Sequence, residues 1–174
     1  MTAEVLKNAQ EPAGTSAFIF NQTASGPVKP WSWVSDLLES APTYWLVTTS
    51  PDGTPHSRPL WGIWARNVFW FSSQNRCGEF LKVNPRASVN VQLGEDVAMI
   101  EGKSSRVTAA SELSVLAEGV GVKYDWKLSV IEDRVHTQFG QSAPVFRLDP
   151  DRVYGWSGIA GWESATRWDF PPSR

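Results

Sequence analysis

Between Tyr44 and Val107 the chain is built from short β-branched and aromatic runs separated by turn signals. The runs are YWLVTT, RPLWGIWA, VFWFSS, ASVNVQLG and VAMIEGKSSRVT. Asp52-Gly53 marks a turn after the first, Arg66-Asn67 a tight connection after the second, and Gly94-Glu95-Asp96 a turn before the last. Connections this short join antiparallel neighbours, because a parallel pair needs a long crossover. The first three runs therefore read as a meander, and APVFRLDPDRVYGWS near the C-terminus as one or two further strands.

Three stretches change to the helical period. In PWSWVSDLLESAP, Pro30 suits the start, Trp31, Val34, Leu37 and Leu38 recur on one face, and Pro42 stops the run. SQNRCGEFLKVNP holds a short helix with Cys77, Phe80 and Leu81 on one side, closed at Asn84-Pro85. SELSVLAEGVGVKYDW turns Leu113, Leu116, Ala117 and Val120 inward. Six or seven antiparallel strands with two or three short helices predict a mainly β fold, closed or nearly closed into a barrel.

The 174 residues suit one domain. Residues 1–29 read as a loosely ordered arm anchored only by Phe18, Ile19 and Phe20, and 30–174 as the folded domain. The net charge of −2 and the lack of a basic tract remove the electrostatic case for a nucleic-acid partner. There is no apolar leader and no run of the roughly 20 apolar residues that spans a bilayer, so a cytoplasmic protein without a membrane partner is expected. One cysteine excludes an internal disulfide, and two histidines give no metal set. Ten tryptophans suit a large core, a subunit interface or a pocket for a flat ligand.

Taken in order, YWLVTTSPDGTPHSRPLWGIW, VFWFSSQNR, NPRASVNVQ, VAMIEGKSSRV, KYDW and SATRWDF resemble the pyridoxamine 5′-phosphate oxidase-like, FMN-binding split-barrel superfamily. Within it the chain is most similar to the branch that includes deazaflavin (coenzyme F-420)-dependent reductases. The resemblance implies a six-stranded antiparallel split β-barrel that forms a homodimer, with two cofactor sites between the subunits. It also implies FMN or F-420 as cofactor and hydride transfer to a small organic acceptor. Some members of the superfamily bind heme or lack ready catalysis, so the fold alone does not fix the chemistry.

Residue by residue, the resemblance lays Arg58, Pro59, Leu60 and Trp61 along the flavin ring. Backbone polar groups there would bond the ring edge, Trp61 would form an apolar wall, and Arg58 would meet a phosphate or carboxylate. Cofactor phosphate would be held by Ser72, Ser73, Asn75 and Arg76. The family's S-R-K-A-R-N-L pattern is here N-R-C-G-E-F-L, so Cys77 stands where a lysine is usual and Glu79 where an arginine is. On that alignment a Cys77→Lys change would restore a phosphate-binding charge. Gln92 would reach the ring or chain of the cofactor. Arg167 and Trp168 would come from the C-terminal segment, often into the partner's site, to meet an anionic tail and cap it. Tyr124 and Trp126 are candidates for a substrate wall or for packing at a helix end.

No side chain is required as a nucleophile. His56 has no acidic residue at an interpretable spacing to make it a base, and no histidine lies near Cys77 in sequence to activate a thiol. The expectation is thus an oxidoreductase whose cofactor carries the chemistry, with F-420 favoured over FMN by the branch resemblance. The altered loop keeps open a non-catalytic protein that holds flavin, heme or another planar ligand, and more distantly an interaction module with no cofactor.

Overall fold

The computed structural model describes residues 11–19, 21–158 and 161–171; the expected anchor Phe20 lies outside the described residues. The meander begins with β4 (Tyr44–Thr49), preceded by α1 (Trp31–Ser40) and by three short strands of the arm, β1 (Gly14–Ser16), β2 (Phe18–Ile19) and β3 (Gln22–Thr23). It continues through β5 (Pro55–Leu60), β6 (Gly62–Ala65), β7 (Val68–Ser72), α2 (Arg76–Val83), β8 (Arg86–Leu93) and β9 (Asp96–Val107). Then come α3 (Ala110–Tyr124), a hairpin of β10 (Leu128–Ile131) and β11 (Arg134–Thr137), the long β12 (Ser142–Ser157), a 3-10 turn over Gly161–Ser164, and β13 (Thr166–Asp169). The fold is mainly β with a few helices, as expected.

Among the described residues, β4–β9 and β12 belong, with β1, β10, β11 and β13, to one 11-stranded sheet. Antiparallel ladders run through β7, β12, β9, β8, β4 and β5 in that order, with β6 paired to β7. The run expected as one strand, RPLWGIWA, is split at Trp61. Its first half pairs only with β4 and its second only with β7. The two ends of the ladder path are therefore linked through the chain itself rather than by a continuous ladder. Gly62 sits at the break because a Cβ there would lie 2.3 Å from the Phe69 ring. Arg66 and Asn67, both at positive φ, supply the tight turn between β6 and β7.

The strand that reads as one or two in sequence is a single 16-residue element. β12 pairs with β9 along one side and with β7 and then β13 along the other. Its register shifts between Pro150 and Arg152, opposite Gly102, where a Cβ would meet the Asp149 carbonyl oxygen at 2.1 Å.

β6 and β7 lack polar alternation because both of their faces are covered. Trp64, Phe69 and Phe71 join the main core with Leu38, Leu46, Ile100 and Leu148. Ile63, Val68 and Trp70 join a second core beneath α3, built on the predicted Leu113, Leu116, Ala117 and Val120. Each large apolar side chain fully buried in this way contributes about 1.5–3 kcal/mol. α1 likewise buries Trp31, Val34, Leu37 and Leu38, the four residues its spacing predicts.

Several described residues of the arm are tied to the domain. β1 pairs with β13, Ala17 N–H donates to the Ala165 carbonyl at 2.9 Å, and Gly26 N–H donates to that of Glu163 at 2.7 Å. Among the described residues no helix is long and apolar enough to cross a membrane.

Candidate functional site

Strand alternation sets the geometry of the site. His56, Arg58 and Leu60 pair with Thr48, Leu46 and Tyr44, so they share the core-facing side of the sheet. α2 packs on that same side and turns Cys77 and Leu81 inward. The first predicted segment, Arg58–Trp61, and the second, Ser72–Cys77, are thereby brought together. The contact between Cys77 Sγ and His56 Nδ1, 3.5 Å apart, joins the second segment to the strand that carries the first, with Phe80 edge-on to the imidazole.

The Cys77 thiol is 1% exposed. Burial pushes its pKa up, against the opposing pull of a Thr48 hydrogen bond and the nearby Arg58 charge. It is thus a buried neutral thiol, and the histidine beside it does not make it a thiolate. A lysine at this position would point into the core. The expectation that Cys77→Lys restores a phosphate contact is therefore corrected by the direction in which the side chain faces.

The turn before α2 holds itself together. Asn75 is the N-cap: its Oδ1 accepts from Cys77 N–H at 3.0 Å and from the Ser73 hydroxyl at 2.9 Å. Gly78 N–H donates to the Asn75 carbonyl, and Ser73 N–H to that of Pro144. These three amides and two side chains are committed to the fold. Ser73 is buried, while Ser72 is half-buried and lines a cleft of about 180 Å³ with Gln74, Thr137 and Gln141 on one hand and Leu128, Val135 and Ala143 on the other. Glu79, at the family's second cationic position, pairs with Lys82 at 2.8 Å on the surface.

What remains open for an anion is Arg58 and Arg76. Both are exposed, and among the described residues neither forms an ion pair. Pro59 is exposed and Leu60 half-buried against the core, so the strand edge presents backbone and an apolar flank. Trp61 is 49% exposed and lies flat against Tyr124, with ring centroids 4.5 Å apart and planes 5° from parallel.

Three expected contributors stand elsewhere. Trp168 is fully buried, edge-on to Trp31 at 5.7 Å, and so is a core residue with no open face for a ligand. Arg167 pairs with Asp169 at 3.0 Å. It lies on one cross-strand row with Tyr154, Met99, Asn90, Trp45 and Pro59. That row places it five strand spacings from β5, about 24 Å along the sheet. Gln92 is exposed on β8 and donates to the Gly94 carbonyl at 3.2 Å.

Two features of this region are not signalled by spacing. One is His56, brought to the loop by strand pairing. The other is Lys123, whose Nζ donates to the Tyr44 hydroxyl at 2.6 Å. Tyr44 in turn donates to the Leu38 carbonyl. Burial lowers the Lys123 pKa to about 8, against the pull of Glu39, and raises that of Tyr44 well above the usual phenol range. Among the described residues no group of three or more His, Cys, Asp and Glu side chains is set to hold a metal ion.

No curated protein matches the chain. Solved structures do. A conserved hypothetical protein from Mycobacterium tuberculosis superposes with a TM-score of 0.63 at 20% identity, covering 75% of this chain and 86% of that one. A 5-nitroimidazole antibiotic resistance protein, so assigned provisionally, from Bacteroides thetaiotaomicron gives 0.59 at 13% identity, covering 92% and 93%. An F420 reductase gives 0.54 at 18% identity, covering 68% and 94%. At these identities the likeness establishes the fold. The family model described as Pyridoxamine 5'-phosphate oxidase matches residues 33–157, from within α1 to the end of β12, and the chain belongs to that family.

Proposed function

We propose that the protein is a flavin- or deazaflavin-dependent oxidoreductase that moves hydride between bound F-420 or FMN and a small organic acceptor. It works as a cytoplasmic homodimer on a six-stranded split barrel, with cofactor sites between subunits. The observation that carries this reading is the pair of exposed guanidiniums, Arg58 and Arg76, neither of them in an ion pair among the described residues, one on β5 and one at the start of α2. Family membership supports flavin chemistry in general, and one solved relative is an F420 reductase.

The residues present suit such a group in part. Arg58 and Arg76 would hold its phosphate or anionic tail, each charge-assisted contact contributing roughly 1.5–3 kcal/mol. The exposed edge of Arg58–Leu60 offers backbone donors and acceptors to a planar ring, and Trp61 an apolar wall. When bound, the cofactor supplies the site that accepts or releases hydride; the chain binds and orients it. F-420 is favoured over FMN. The turn's amides are largely committed and the usual lysine is a buried cysteine, so a compact phosphate cradle is depleted. An extended anionic tail instead spreads over both arginines. In the homodimer Arg167 of a second copy would add its charge to the site, as the family resemblance implies.

The same depleted cradle favours a second reading, a non-catalytic protein that holds flavin, heme or another planar ligand. A visible spectrum of the purified protein, followed by separate titrations with FMN, reduced F-420 and heme, separates the two. F-420 binding with turnover of an electrophilic dye or enone supports the reductase. Binding without turnover supports the carrier, and no binding of any of them sinks the enzyme.

A further inference from the structure

We infer that the cleft between the β11–β12 turn and the turn that begins α2 binds a small uncharged compound, a single ring carrying a carbonyl- or amide-type oxygen. Such binding needs no cofactor and is independent of the oxidoreductase reading above.

The floor of the cleft follows from strand register. β10, β11, β12 and β7 lie side by side, with Leu128 opposite Thr137, Val135 opposite Ala143 and Val145 opposite Ser72. Residues paired across antiparallel strands share a face, as do residues two apart along one strand. Leu128, Val135, Thr137, Ala143 and Ser72 therefore lie on one face of the sheet, and all five line the cleft. Leu128, Val135 and Ala143 are also part of the second core, so the floor is an apolar margin of that core. Gln74 and Gln141, both exposed, complete the walls.

Those walls are fixed by the backbone. Ser73 N–H donates to the Pro144 carbonyl at 3.2 Å and ties the turn before α2 to β12. Across the β11–β12 turn, Thr137 N–H donates to the Gln141 carbonyl at 2.8 Å and Gly140 N–H to the Thr137 carbonyl at 3.1 Å. Gly140 takes the positive φ that this turn requires.

The hydroxyls set what the cleft recognises. Thr137 Oγ1 accepts from the N–H groups of Phe139 and Gln141, each at 3.3 Å. A hydroxyl has two lone pairs and one proton, so the proton is what Thr137 has left to offer. Ser142 Oγ accepts from Arg134 Nε at 3.2 Å and likewise keeps its proton. Among the described residues the side chains of Ser72, Gln74 and Gln141 have no hydrogen-bond partner, so their groups are open as well. These donors call for an accepting oxygen, and the glutamine carbonyls can take an amide N–H in return.

None of the lining side chains is charged, so an ionised ligand would leave water without a counter-charge in the cleft wall. The volume of about 180 Å³ is close to the roughly 150 Å³ of a cavity that holds benzene. It falls below the roughly 300 Å³ at which sites for larger ligands begin. One ring on the apolar floor with one polar substituent toward the hydroxyls is what fits.

The test is an NMR titration of the isotope-labelled protein with benzamide, with benzoate and benzylamine as charged compounds built on the same ring. Benzamide should shift the backbone amide signals of Ser72, Gln74, Thr137 and Gln141 together and saturably. It should bind about tenfold or more tighter than either charged compound. Ala143→Leu, which fills the floor, should abolish the shifts. Ser72→Ala combined with Gln74→Ala removes two groups that have no partner in the fold. The double variant should keep its thermal stability and bind benzamide about tenfold more weakly, as loss of two hydrogen bonds predicts. Should Ala143→Leu fail to fold, the double variant decides. The site is overturned by shifts confined to other residues, by no saturable shift, or by a charged compound binding as tightly as benzamide. Unchanged affinity in the double variant overturns it equally.

Discussion

Cys77 Sγ lies 3.5 Å from His56 Nδ1 across 21 residues of sequence, and this contact joins the strand that carries Arg58 to the turn that carries Arg76. Because the thiol is buried there, Cys77→Lys should destabilise the fold by about 3–5 kcal/mol, the cost of an uncompensated buried charge. Urea unfolding measures it. A stable Cys77→Lys protein with improved FMN affinity would show that the side chain faces outward.

Gly62 and Tyr124 hold the strand break. Gly62→Ala places a methyl group against Phe69 and the Trp70 carbonyl, and should cost about 1–3 kcal/mol by overpacking. Tyr124→Phe keeps the stack on Trp61 and removes the two contacts to Gly62. It should cost about 1 kcal/mol in the same unfolding assay.

Trp168→Ala opens the core beside Trp31 and should cost about 3–5 kcal/mol. Among molecules that remain folded, cofactor affinity should be unchanged. A selective loss of affinity with stability intact would return Trp168 to the binding site.

The Lys123–Tyr44 pair gives stability a defined pH dependence. Lys123 has a lower pKa in the folded chain than in the unfolded one. The unfolded state therefore binds more protons between about 8 and the ordinary lysine value, and stability rises with pH across that window. Tyr44 is raised, so its contribution is present below the ordinary phenol value and is lost as pH climbs beyond it. Chemical unfolding at a series of pH values should show a rise from about 8 and a decline above about 10. Lys123→Met should remove the rise and keep the decline.

Much of the fold is legible because local periods and the final burial agree. Trp31, Val34, Leu37 and Leu38 of α1, and Leu113, Leu116, Ala117 and Val120 of α3, are inward by spacing and inward in the fold. The break at Trp61 is hidden because its cause is tertiary: Gly62 meets Phe69, and the Tyr124 hydroxyl comes from 62 residues away. The β10–β11 hairpin is hidden because its turn is Glu132-Asp133, with Glu132 at positive φ where Gly or Asn would signal it. At the site, the turn before α2 and the Arg58 strand are legible through family resemblance. Which of their groups are free is not, because Asn75 and Ser73 are consumed by the helix cap and Cys77 by the core. Trp168 carries no mark in sequence that separates a capping ring from a core ring.

The most direct test of the proposed site is the affinity of F-420 for the unmodified protein, Arg58→Ala and Arg76→Ala, measured by fluorescence titration. Each variant should bind about tenfold or more weakly with unchanged thermal stability, as loss of one charge-assisted contact to the anionic tail predicts. Unmodified affinity in both variants would contradict the assignment of Arg58 and Arg76 as the cofactor's anion site.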